Sequence, residues 1–185
     1  KIRSVASFFI SRVDSKVDAA IDARAATLPA GSTERAELES LRGKAAVANA
    51  RLAYAAFEEV FGAARFRTLA AKGAHVQRPL WASTSTKNPT YRDVLYVEEL
   101  IGPDTVNTIP PATLVAFNDH GVVEARIRNH MDEARALFGK LNALGVPVES
   151  LIDQLEGEGV VAFAKSYDDL LGAIETRRRE GASKG

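Results

Sequence analysis

The chain contains no cysteine. That absence excludes disulfides, thiolate nucleophiles and cysteine-bound metal together, and it fits a reducing cytosol. Charge of neither sign is in excess. The 24 lysines and arginines balance 24 aspartates and glutamates, so nothing in the bulk favours nucleic acid or an anionic membrane surface. No stretch approaches the roughly 20 apolar residues of a membrane-crossing helix. No secretory leader pattern opens the chain. Glycine-rich nucleotide loops are missing too. Neither G-x-G-x-x-G nor G-x-x-x-x-G-K occurs, which disfavours a nucleotide enzyme. The histidines, His75, His120 and His130, match no metal-ligand spacing, and H-E-x-x-H is absent. These absences leave the expectation of a cytoplasmic protein with no nucleic-acid and no membrane partner.

What is present is a globular pattern. Hydrophobic residues make up 46% of 185, enough to build a sizeable core or part of a larger one. The chain does not begin with Met and enters strand-like sequence within four residues, so we expect the later part of a longer protein. "VASFFIS" (5–11) has the short apolar run of a buried strand. Alternation places Ser7, Phe9 and Ser11 on one face and Ala6, Phe8 and Ile10 on the other. "SRVDSKVDAAIDARAATL" then repeats Val13, Val17, Ile21 and Ala25 at helical spacing. After the loop "PAGST", an Ala-rich helix is expected from about Glu34 to Phe61, ending at Gly62, and a shorter one near 63–72. "QRPLWAST" (77–84) reads as a second strand, with Trp81 and Ser83 expected on the interior face. Thr90 and Asp93 read as a capping box for the helix "YRDVLYVEELIG". "DTVNTIP" (104–110) is a third strand and "PATLVAFNDHG" a further helix.

Strand, helix, strand, helix, strand, helix with no hairpin signals argues for parallel βα units over residues 1–121. From 122 to 185 the texture is helical only, in segments over 124–145, 148–157 and 160–180, and we expect a helical extension on the same domain.

Two strand ends pair a hydroxyl with a cation: Ser11-Arg12, and Ser83 through Lys87 in "WASTSTKNP". Parallel α/β folds bind their ligands at strand C-terminal ends. Hydroxyls with Arg and Lys supply the charge-assisted donors that a phosphate needs. Each stretch alone reads better as an ordinary solvated turn, and only the two together, on neighbouring strands of one parallel set, bring the anion cradle level with it. Lys87 is also a candidate Schiff-base amine, although its hydroxyl neighbours and Asn88 suit a charged lysine better. His120 reads as a structural helix end. Glu98-Glu99 and Asp168-Asp169 read as solvated helix faces.

At "SVASFFISRVDSKVD", "GKAAVANARLAYAAFEEVF", "QRPLWASTSTKNPTYRDVLYVEELIGPDTVNTIPPATL" and "DHG" the chain strongly resembles bacterial transaldolase. The resemblance is to the longer subfamily, which also occurs fused to phosphoglucose isomerase. It implies a (β/α)8 TIM barrel, of which these would be strands six to eight, followed by the C-terminal helices. It also implies an enzyme of the pentose phosphate pathway that works without metal or organic cofactor. Such an enzyme transfers a dihydroxyacetone unit from sedoheptulose 7-phosphate to glyceraldehyde 3-phosphate through a lysine Schiff base. By the family's S-x-F-x-x-R pattern, Ser7 and Phe9 face the substrate and Arg12 binds phosphate. Ser83 matches the phosphate-binding serine of strand seven. Where the better-studied subfamily has an arginine two residues later, this chain has Ser85, and the charge role passes to Lys87. The Schiff-base lysine and the acid/base carboxylates belong to strands outside this chain, so no catalytic residue is assigned here. The implied partners are sugar phosphates and the missing N-terminal half of the barrel. Alone, 1–185 is expected to be inactive. The alternative is a non-catalytic sugar-phosphate-binding barrel fragment.

Overall fold

A computed structural model describes residues 2–182. Its elements alternate as the sequence pattern requires. They are β1 (Ser4–Phe9), α1 (Ile10–Ala26), α2 (Thr33–Glu39), α3 (Ala45–Gly62), α4 (Ala64–Ala70), β2 (Gln77–Ala82), α5 (Leu95–Glu99), β3 (Val106–Asn107), α6 (Pro111–His120), α7 (Met131–Ala143) and α8 (Val148–Ala182). The strands form one parallel sheet in the order β1-β2-β3, a helix-rich α/β arrangement. Two compact units result, 1–148 and 149–185.

The first unit has one covered sheet face and one open face. The register pairs Phe8 with Trp81, and their rings lie 5.6 Å apart. Paired residues of parallel strands share a face, so Trp81 lies with Phe8 on the side the helices cover. There it is 1% exposed, and its indole N–H donates to the Leu100 carbonyl. This corrects the expected parity of "QRPLWAST": Trp81 faces the helical layer, not the side that carries Ser7 and Phe9. The opposite face stays open, with Val5 39% exposed and Ser7 exposed.

Helix α1 buries Ile10, Val13, Val17, Ile21 and Ala25, a stripe at the helical repeat. Its core partner is α3, whose buried members are chiefly alanines and Tyr54, and α7 packs on α3 in turn through Ala134, Leu137 and Leu141. Small residues on α3 permit that close packing from two sides.

Several boundaries move from their sequence positions for identifiable reasons. The first strand ends at Phe9 and not at Ser11, because Ile10 and Ser11 already belong to α1. The expected Ala-rich helix breaks at Ser40–Lys44, where Gly43 takes φ +69° and its amide donates to Asp18 Oδ1. The Thr90/Asp93 capping box does not form. Asn88 Oδ1 accepts both the Thr90 amide and its hydroxyl, Asp93 pairs with His120, and α5 begins only at Leu95. Glu98 is not solvated: at 1% exposure it accepts two bonds from Arg92 and one from the Val122 amide.

The second unit is the run of α8 beyond Val148. It is one helix where two segments were expected, because Gly157 and Gly159 weaken a helix interior by only about 1 kcal/mol each without breaking it. Val160, Phe163, Tyr167, Leu170, Leu171 and Ile174 recur at three- and four-residue spacing on one exposed side. No helix among the described residues is long and apolar enough to cross a membrane.

Candidate functional site

The C-terminal ends of β1 and β2 meet at a single backbone hydrogen bond. The Ser11 amide donates to the Ser83 carbonyl at 3.1 Å. Ser83 adopts φ +56°, a left-handed conformation that costs a non-glycine residue about 1–2 kcal/mol. Strand alternation therefore stops at Ala82, and the direction of Ser83 is set by this turn. The turn brings Ser83 beside the start of α1. From there Arg12 folds back over the Phe9 ring, its guanidinium carbon 4.4 Å from the ring centroid. Phe9 pairs with Ala82 and Ser7 with Leu80, so both project from the open face of the sheet. Arg12 is exposed and has no carboxylate partner among the described residues. A guanidinium stacked on an aromatic ring keeps its in-plane donors free for an anion. Phe9, Arg12 and Ser83 are thus gathered at one strand-end corner, with Ser7 further down the same face.

The hydroxyl row divides. Thr84 is wholly buried and donates to Asn107 Oδ1 at 2.9 Å, which ties β2 to β3. Ser85 Oγ accepts from Lys87 Nζ at 2.8 Å. Ser83 is left half-buried at the corner.

Lys87 sits elsewhere. It lines a crevice of about 290 Å³ together with Asp14, Asp18, Asp22, Asn88, Tyr91 and Tyr96, and none of Ser7, Phe9, Arg12 or Ser83 lines it. The sequence reading did not single out these acidic and phenolic groups. Their signal was present in the regular spacing Asp14, Asp18, Asp22, which puts three carboxylates on one side of α1. Asp14 is 2% exposed; Oδ1 accepts from the Ala46 amide at 2.7 Å and Oδ2 from the Tyr96 hydroxyl at 2.6 Å. Burial pushes its carboxyl up to about 6 despite these donors. Asp18 accepts from Tyr91 at 2.7 Å, and burial together with this carboxylate raises the Tyr91 phenol. Burial and Asp14 raise Tyr96 likewise. The crevice pins α1, the first turn of α3 and the segment around α5 to one another. Among the described residues, no group of three or more His, Cys, Asp and Glu side chains is placed to hold a metal ion.

His120 ends α6, with Nε2 2.9 Å from Asp93 and Nδ1 3.1 Å from Asp119, and these hydrogen bonds raise its pKa. This is the helix-end position the sequence indicated.

Residues 2–174 match the family described as Transaldolase/Fructose-6-phosphate aldolase. The transaldolase of Frankia alni is 49% identical over 185 residues, 100% of this chain and 47% of that protein. That of Mycolicibacterium smegmatis is 52% identical over 176 residues, 95% of this chain and 45% of the relative. The transaldolase of Thermobifida fusca is 51% identical over 174 residues, 94% of this chain and 45% of the relative. The chain therefore spans just under half the length of these curated relatives.

Proposed function

The chain belongs to the transaldolase/fructose-6-phosphate aldolase family, and from that premise we propose that it forms the phosphate-recognising half of a transaldolase. In this reading the complete protein moves a dihydroxyacetone unit from sedoheptulose 7-phosphate to glyceraldehyde 3-phosphate, giving erythrose 4-phosphate and fructose 6-phosphate. The lysine that forms the Schiff base lies on strands this chain does not contain. The three strands here are the sixth to eighth of a (β/α)8 barrel, and residues 122–185 are its helical extension.

The observation that carries the reading is the Ser11–Ser83 hydrogen bond. It draws Arg12 and Ser83, from consecutive βα units, to one end of the sheet. A guanidinium and a hydroxyl converging there from two strands make the donor set for a phosphate monoester. Ser7 and Phe9 on the same open face line the path of the sugar. Lys87 adds positive charge to the approach, and its aspartate-walled crevice makes it the weaker of the two cationic contacts. Each outer edge, of β1 and of β3, has no strand beside it among the described residues. Unpaired edges and an open apolar face are what the remaining strands of a barrel would complete. On its own, 1–185 is inactive.

Replacing Arg12 by Ala in the complete protein tests this. A charge-assisted contact of about 1.5–3 kcal/mol corresponds to a KM for phosphorylated sugars raised roughly 10- to 150-fold. Unchanged kinetics would remove Arg12 from the site.

A second reading rests on the core of the first unit, where Tyr54, Trp81 and Tyr96 are each 1% exposed. A unit with its own core can serve as a non-catalytic sugar-phosphate-binding module. It would melt cooperatively as 1–185, gain stability from fructose 6-phosphate and show no turnover in any complete form. Turnover by the complete protein decides for the enzyme.

A further inference from the structure

Ser83 sits in the left-handed region at φ +56°, where a residue with a side chain is strained and stays only when its surroundings hold it. Contacts hold it from opposite sides. On the β1 side, the Ser11 amide donates to the Ser83 carbonyl at 3.1 Å. On the β3 side, the next residue, Thr84, is 0% exposed, and its hydroxyl donates to Asn107 Oδ1 at 2.9 Å. The Thr108 amide also donates to the Trp81 carbonyl at 3.0 Å, so the β3 segment grips the chain just before the turn and just after it. Thr84 is too deeply buried to touch a ligand. Packing alone would be met as well by valine, which has nearly the same shape, so what the hydroxyl adds is directional. It fixes Thr84, and with it the backbone leaving Ser83, relative to β3.

We propose that Thr84, held by Asn107, is a positioning residue for phosphate recognition: it locks the left-handed turn that sets Ser83 beside Arg12. The inference deepens the sugar-phosphate reading and rests on it. Without the Thr84 hydroxyl, the turn is free to relax toward the backbone regions a non-glycine residue prefers, and Ser83 leaves the corner it shares with Arg12. Thr84 thus acts on how tightly the phosphate is held and not on the covalent steps, which that reading places on other strands.

Thr84→Val in the complete protein is the test, read as KM for fructose 6-phosphate, kcat, and the inhibition constant of inorganic phosphate. KM and the inhibition constant should both rise about 2- to 12-fold, the scale of one neutral hydrogen bond, with kcat unchanged. Thr84→Ser restores the hydroxyl and should return both to the parent's values. A merely structural role would lower the thermal midpoint without separating KM from kcat. Asn107→Ala removes the acceptor from the other strand and should act in the same direction, which keeps the test in force if Thr84→Val does not fold. Ser83→Ala is the reference, and Thr84→Val added to it should cost nothing further. Parent-like constants in Thr84→Val or Asn107→Ala, beside raised ones in Ser83→Ala, would overturn the positioning role and leave the sugar-phosphate reading standing. So would a further loss on top of Ser83→Ala. Unchanged constants in Ser83→Ala would remove Ser83 from the site, and the positioning role with it.

Discussion

Asp14→Asn should make the protein more stable at neutral pH and remove a pH dependence that the parent shows. Asp14 is 2% exposed, and burial raises its carboxyl from 3.8 to about 6. The folded state therefore holds this proton more tightly than the unfolded chain. Below about pH 4 both states are protonated and the group makes no difference to stability. Between about 4 and 6 the unfolded chain has lost the proton and the folded state keeps it, so stability falls as pH rises. Above about 6 the loss is complete. A shift of roughly two units at 1.36 kcal/mol each makes that loss about 3 kcal/mol. Asparagine suits the position sterically. Its carbonyl can accept from the Ala46 amide, and its NH2 can donate to a rotated Tyr96 hydroxyl, so neither partner is stranded. Urea unfolding of parent and variant at half-unit steps from pH 4.5 to 7 isolates the effect, because titrating groups that do not interact with Asp14 cancel in the difference. The gap should widen by about 2 kcal/mol between pH 4.5 and 6 in favour of the variant, then stay flat. Parallel curves would show that the Tyr96 and Ala46 donors, with the positive end of α3, fully offset burial, and the reasoning would fail.

Other outcomes follow from the same contacts. In an NMR titration His120 should deprotonate above 6.5, and Asp93→Asn should bring it back down. Because the folded value is raised, the pairing supports the fold below the unfolded pKa and is lost as pH rises through the folded one. Gly43→Ala should destabilise by about 1–2 kcal/mol from its left-handed backbone alone. A Cβ there would also lie 2.7 Å from the Tyr91 ring, which should loosen the Tyr91–Asp18 bond and move the Tyr91 fluorescence or NMR signal. Trp81→Phe strands the Leu100 carbonyl and should cost about 1–3 kcal/mol in denaturant unfolding.

Much of this architecture was legible along the chain, and the exceptions have physical causes. Three strands, their parallel order and the α1 stripe follow from short apolar runs and helical periodicity, which are local signals. Trp81 lies on the face opposite to the expected one because alternation fixes only which residues share a side. The cross-strand partner, Phe8, decides which side that is. The Thr90/Asp93 pattern failed because both residues had stronger partners: Asn88 is two residues from Thr90, and His120 is brought to Asp93 by the fold. The same limit applies to Glu98, whose burial depends on Arg92, Val122 and Arg126 converging from separate segments. At the strand ends, the closeness of Phe9 and Arg12 follows from their three-residue spacing. The left-handed turn that brings Ser83 beside them, and the position of Lys87 on the lining of the aspartate crevice, do not, since each depends on what the neighbouring chain presents.

The central claim is that residues 1–185 recognise the phosphate while the covalent chemistry occurs on strands this chain lacks. Borohydride reduction of the complete protein with fructose 6-phosphate, followed by peptide mapping, tests it most directly. The account predicts one reduced adduct, on a lysine outside residues 1–185, with Lys87 unmodified. An adduct on Lys87 or any other lysine of this chain would contradict it.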